Sequence, residues 1–117
     1  MIRLLIVEDE KPISNLSRRS LTKAGYHCTC AYDGNAAVEL LGQEIFDLIL
    51  LDIMLPGMDG FSLCETIRHG DPYIGLIMAS AKGQESGKIR GLSIGAYDYI
   101  TKPFSVSELM ARGEALA

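Results

Sequence analysis

The stretch DLILLDIMLPGMDG, residues 47–60, decides what kind of sheet this chain builds. An apolar run, Leu48 to Leu51, ends on a carboxylate, Asp52, and Pro56-Gly57 and Gly60 break the chain soon after. A short apolar run between turn signals reads as a strand covered on both faces, as in a parallel sheet. Asp52 then falls where a central strand leaves the sheet, at the rim of a packed core. A carboxylate there is costly unless something pairs with it. The partners of Asp52 are therefore the question the flanking sequence has to answer.

Upstream, residues 2–7 (IRLLIV) read as a strand cut off by Glu8-Asp9-Glu10. Pro12 suits the first turn of a helix. Ile13, Leu16, Leu21 and Ala24 recur at roughly helical spacing as its inward face, and Gly25 stops it. Residues 26–32 (YHCTCAY) alternate like an edge strand. Asp33-Gly34-Asn35 is a turn that also starts a helix, with Ala36, Ala37, Leu40 and Leu41 facing inward and Gly42 at its end. Downstream, Phe61, Leu63, Cys64 and Ile67 mark a third helix ending near Gly70, and residues 73–80 (YIGLIMAS) form another apolar strand. A weaker helix over 85–95 is diluted by Gly87 and Gly91, each costing ~1 kcal/mol relative to Ala. Residues 96–101 (AYDYIT) are the fifth strand, and Ser105 with Glu108 forms a capping box that opens a last helix.

Strands thus alternate with helices, with no repeat, linker or low-complexity tract. Such alternation predicts an α/β fold with a parallel sheet, helices on both faces and right-handed crossovers. A length of 117 residues suits one domain, and 48% hydrophobic residues exclude a disordered chain. No window approaches a membrane span, and the N-terminus lacks a signal-peptide pattern, so a cytoplasmic location is expected. A net charge of −4 argues against direct grip on nucleic acid. Cys28, Cys30 and Cys64 are odd in number and fit reduced thiols. Cys28 and Cys30 share a strand face, but a metal there lacks two further soft ligands.

Parallel strands all point one way, so whatever follows each strand gathers on one edge of the sheet, where such folds bind ligands. Glu8 and Asp9 follow the first strand, Asp52 ends the third, Ser80 ends the fourth and Lys102 follows the fifth. Glu10, also nearby, reads as a solvated acid. Three carboxylates this close repel one another, and a cation relieves that repulsion. Oxygen-only ligands in a small cleft suit Mg²⁺, which favours sites shared with phosphate. Lys and Ser are donors for phosphate oxygens. The residues point to a site that holds Mg²⁺ and a phosphoryl group against Asp52, with Asp52 as nucleophile.

LLIVEDE, LLDIMLPGMDG, MASAKG and GAYDYITKPF, in this order and spacing over the whole chain, resemble the receiver domain of two-component response regulators. The resemblance implies a flavodoxin-like, doubly wound (βα)5 fold with a five-stranded parallel sheet in order 2-1-3-4-5, and a single receiver domain over residues 1–117. Asp52 resembles the aspartate phosphorylated by a sensor histidine kinase. Asp9 resembles the direct Mg²⁺ ligand, Glu8 the acid acting through water, and the Met54 carbonyl a further ligand. Ser80 is similar to the switch hydroxyl, Lys102 to the phosphate-pairing lysine and Tyr99 to the switching aromatic, although a core tyrosine fits Tyr99 as well. A cis Lys102–Pro103 bond is implied too. Met54 and Lys82 occupy positions that tune attack by water in the family, and neither suits that task, so slow dephosphorylation is expected.

The style of the YITKPF and ELMAR segments resembles receivers that precede a winged-helix DNA-binding domain. Control of transcription would then act through an output domain beyond residue 117, which alone would touch DNA. In that subfamily, phosphorylation alters the face made by the 85–95 helix, the fifth strand and the last helix. Matching charges there imply a symmetric homodimer with Lys88 against Glu108 and Asp98 against Arg112. Tyr97, Gly75 and Gly113 depart from the family pattern, the first and last on this face. The alternative reading is a Mg²⁺-dependent aspartyl-phosphate phosphatase or phosphotransferase of related fold. Such enzymes place a general acid two residues after the nucleophile, and Met54 cannot transfer a proton. A flavodoxin-like cofactor binder needs a phosphate-cradling loop where VEDEKP (7–12) is acidic.

Overall fold

The computed structural model describes residues 1–52, 60–71, 73–81, 98–102 and 106–116; of these, 80, 81, 98–102, 106 and 113–116 are described by backbone alone. The elements in order are β1 (Arg3–Val7), α1 (Lys11–Lys23), β2 (His27–Ala31), α2 (Gly34–Gln43), β3 (Leu48–Asp52), α3 (Gly60–Gly70), β4 (Gly75–Ala81), β5 (Asp98–Lys102) and a C-terminal helix (Val106–Leu116). The strands form one five-stranded sheet in order β2-β1-β3-β4-β5, every pairing parallel. The doubly wound α/β fold and its strand order are as expected. The 85–95 helix, Ser105 of the capping box, Tyr97 and the Lys102–Pro103 bond lie outside the described residues.

Strand alternation divides the core into two layers. Leu5, Val7, Ile49, Leu51, Leu76 and Met78 face Ala37 of α2 and Leu63, Cys64 and Ile67 of α3. Leu4, Ile6, Leu48, Leu50, Ile77 and Ala79 face Leu21 of α1, Tyr26 and Leu109 of the C-terminal helix. β3 is buried at all five positions, which is why its sequence shows no polar alternation.

Local chemistry sets the boundaries. Pro12 sits in the first turn of α1. Gly25 ends α1 with φ of 105°, the left-handed region where a side chain is strained. The Asp33 carboxylate accepts from the Ala36 N–H at 2.7 Å and caps α2. Helix α2 runs one residue past Gly42, to Gln43. β4 begins at Gly75 rather than at residue 73, because Tyr73 and Ile74 sit in a bend where both N–H groups donate to the Asp71 carboxylate. Gly75 then donates to the Asp47 carbonyl at 3.3 Å, a bond proline could not make. Lys102 is the last residue of β5, not the first after it.

Of the expected inward face of α1, Leu21 is buried and Ala24 packs against the core beside it, but Ile13 and Leu16 are 41% and 65% exposed and Ser14 is fully buried in their place. The helix turns Ser14 and Leu21 to the sheet because small side chains let its first turn approach closely. The Cys30 thiol there lies 4.0 Å from the Ser14 carbonyl. The Ser14 hydroxyl has no hydrogen-bond partner among the described residues.

Candidate functional site

The site is assembled at the C-terminal ends of β1 and β3. The ladder between β1 and β2 runs one step past Val7, where the Glu8 N–H donates to the Ala31 carbonyl at 3.1 Å. That bond fixes Glu8 at the rim of the sheet. Asp52 is the last residue of β3, paired with Ala79 of β4. Its strand parity matches Leu48 and Leu50, and that of Glu8 matches Leu4 and Ile6, so both acids lie on the α1 side of the sheet. Glu8 is 5% and Asp52 7% exposed, and Asp9 is the more open of the three.

One carboxylate oxygen from each of Glu8, Asp9 and Asp52 lies within 4.8 Å of the others. The donor set is all oxygen and all anionic, on a rigid sheet edge, and it fits a small hard dication such as Mg²⁺. The three acids singled out in the sequence are thus brought together.

The other site residues are placed by register alone. Ser80 pairs with Thr101, and Lys102 pairs with Ala81. Both backbones therefore stand at the same sheet edge, Ser80 one residue beyond the partner of Asp52. Tyr99 pairs with Met78 and Asp98 with Ile77, further back along the ladder. Met54, Lys82 and Lys88 lie outside the described residues. On the C-terminal helix, Arg112 Nη2 donates to Glu108 Oε1 at 3.5 Å, an i,i+4 pair within the chain. Glu108 and Arg112, expected to face a second copy, meet each other here.

A contact that no motif signals joins the residues that follow β1 and β2. The Lys11 ammonium at the start of α1 lies 5.2 Å from the centre of the Tyr32 ring. The cysteines take no part in the site. Burial pushes the Cys28 thiol up from its ordinary value, only partly offset by a hydrogen bond with Thr22, and burial does the same to Cys64. Among the described residues no helix is long and apolar enough to cross a membrane.

Comparison with known proteins agrees with this geometry. The family model for the response regulator receiver domain matches residues 4–114. The receiver domain of the Francisella response regulator 1452 is 34% identical, with TM-score 0.92 over 99% of this chain and 96% of its own. A response regulator from Chloroflexus aurantiacus is 33% identical, with TM-score 0.93 over 98% and 96%. NtrX from Brucella abortus is 30% identical, with TM-score 0.93 over 98% of this chain but only 26% of that longer protein. With acids, strand order and family model in agreement over almost its whole length, the chain belongs to the receiver domains of two-component response regulators.

Proposed function

We propose that the domain is a phosphoacceptor switch that takes a phosphoryl group onto Asp52 from a histidine kinase. The observation that carries this reading is the convergence of the Glu8, Asp9 and Asp52 oxygens at the end of a buried strand. Glu8, Asp9 and Asp52, with the Met54 carbonyl, would hold Mg²⁺. When bound, that ion offsets the repulsion between the carboxylates and an incoming phosphoryl group. A carboxylate oxygen of Asp52 forms the new bond to phosphorus as the bond to the donor's histidine nitrogen breaks, and the imidazole leaves. Lys102 and Ser80 serve as donors to the phosphoryl oxygens. The exposed Ile13 and Leu16, about one turn apart on the helix that follows Glu8 and Asp9 in the chain, offer the donor an apolar docking stripe.

The product carries about two negative charges beside Lys102. Ser80 moves toward them and Tyr99 fills the space it leaves, which alters the face around β5 and the C-terminal helix. Control of transcription would follow through a DNA-binding output domain outside this chain. A phosphorylation-linked dimer using Lys88, Asp98, Glu108 and Arg112 would require the Glu108–Arg112 pair to open and exchange.

Incubation with acetyl phosphate and Mg²⁺, followed by intact-mass measurement and peptide mapping, tests the assignment. One phosphoryl group on Asp52, lost in Asp52→Asn, supports it. Phosphate on a serine or histidine instead refutes it.

A further inference from the structure

We propose that Tyr32 holds the Lys11 ammonium away from the Glu8, Asp9 and Asp52 oxygens and so removes one competitor of a divalent cation there. The proposal rests on reading those oxygens as a cation site.

Lys11 is the first residue of α1 and stands two residues after Asp9. Its four-carbon stem is flexible and its ammonium offers three donors. Three carboxylates converge at the strand ends, one of them only two residues before it in the chain. A cation in the first turn of a helix also opposes the helix dipole, which adds a reason for it to seek an anion. Yet among the described residues Lys11 makes no ion pair. Its ammonium lies instead over the ring of Tyr32, 5.2 Å from the centre, where the negative face of the ring attracts it.

The ring is well placed to hold it. β1 and β2 pair in parallel with Val7 opposite Ala31, so Tyr32 leaves the sheet beside the segment that carries Glu8 and Asp9. The backbone on the far side of Tyr32 is fixed by the Asp33 cap on Ala36, at 2.7 Å. The ring is half-buried. It therefore has an anchored base from which to hold a mobile ammonium to one side.

An ammonium among these carboxylates would compete with a dication twice over. It would occupy the same oxygens, and it would cancel part of the charge that draws the ion. Tyr32 is thus a positioning residue, and Lys11 is the competitor it restrains.

Mg²⁺ titration by calorimetry, without any phosphodonor, tests this on wild type, Tyr32→Leu, Lys11→Met, the double variant and Asp9→Ala, with folding checked by thermal melting. Tyr32→Leu should weaken Mg²⁺ binding roughly three- to tenfold, in line with the loss of one cation–π contact. The double variant should bind as Lys11→Met does, because without the ammonium the ring has nothing to restrain. The resonances of the Lys11 side chain should also lose their ring-current shift in Tyr32→Leu. If Tyr32→Leu binds as wild type does, or weakens binding equally when Lys11 is already Met, the proposal is overturned while the cation site stands. If Asp9→Ala binds Mg²⁺ as wild type does, the cation site itself fails and the proposal with it.

Discussion

The Glu8 and Asp52 carboxylates approach within 4.8 Å at the ends of two neighbouring strands, both nearly closed to solvent. Any dication they take up with Asp9 binds the folded chain and not the unfolded one. Mg²⁺ should therefore raise thermal stability, by about 2.7 kcal/mol at a hundredfold excess over Kd. Chelation should reverse the gain, and Asp9→Ala should lose most of it. The gain should also shrink in acid, because the ligands must be ionised. Melting curves with and without Mg²⁺ measure all three effects.

The bond from the Ala36 N–H to Asp33 fixes the start of α2. Asp33→Ala should cost about 1 kcal/mol of stability, and Asp33→Asn should recover nearly all of it, since asparagine caps as well. Urea midpoints of the two variants give the comparison. Equal losses would mean that the carboxylate acts through charge rather than as a cap.

Ser14 offers the opposite case. Its hydroxyl is fully buried, with no partner among the described residues. Ser14→Ala keeps the close approach of α1 to the sheet, removes a desolvated polar group and improves helix propensity. Stability should rise by about 1 kcal/mol. A drop in the urea midpoint would show that the hydroxyl is satisfied after all.

The Cys28 thiol is held above its ordinary value of 9.0 by burial. Above that pH the unfolded chain gives up the thiol proton first, so the unfolded state binds fewer protons and gains relative to the folded one. Stability contributed by Cys28 is therefore complete below pH 9.0 and falls as pH rises toward the higher folded value. Cys28→Ser should flatten this alkaline decline in a series of urea titrations from neutral pH upward. Thiol labelling of the folded wild type should be slow at neutral pH and should speed up in denaturant.

The three acids are legible in the sequence because each ends or follows an apolar run, and parallel strands bring such positions to one edge. The inward face of α1 is less legible. Leu21 and Ala24 pack inward as their spacing suggests, but nearer the start of the helix Ile13 and Leu16 compete with Ser14 and Ser17 for the inward face. The choice between them is made by packing, and small serines win it because they allow the helix to sit close on β1 and β2. The Lys11–Tyr32 contact has no motif at all. It exists only because β1 and β2 pair in register, which joins two segments far apart in the chain. The start of β4 was displaced by the Asp71 carboxylate, whose bonds to Tyr73 and Ile74 compete with the sheet for the backbone.

The strand order β2-β1-β3-β4-β5 divides the chain into unequal roles. Glu8, Asp9 and Asp52 all belong to the half made first, while Ser80 and Lys102 belong to the half made last. Among the described residues, the two halves are joined in the sheet only by the β3–β4 ladder. A nick beside the exposed Tyr73 would separate a fragment that carries Glu8, Asp9 and Asp52 from one that carries Ser80 and Lys102. Fragments cut there would regain a complete site only by rebuilding that ladder, so complementation between them would report on sheet assembly and on site assembly in a single measurement.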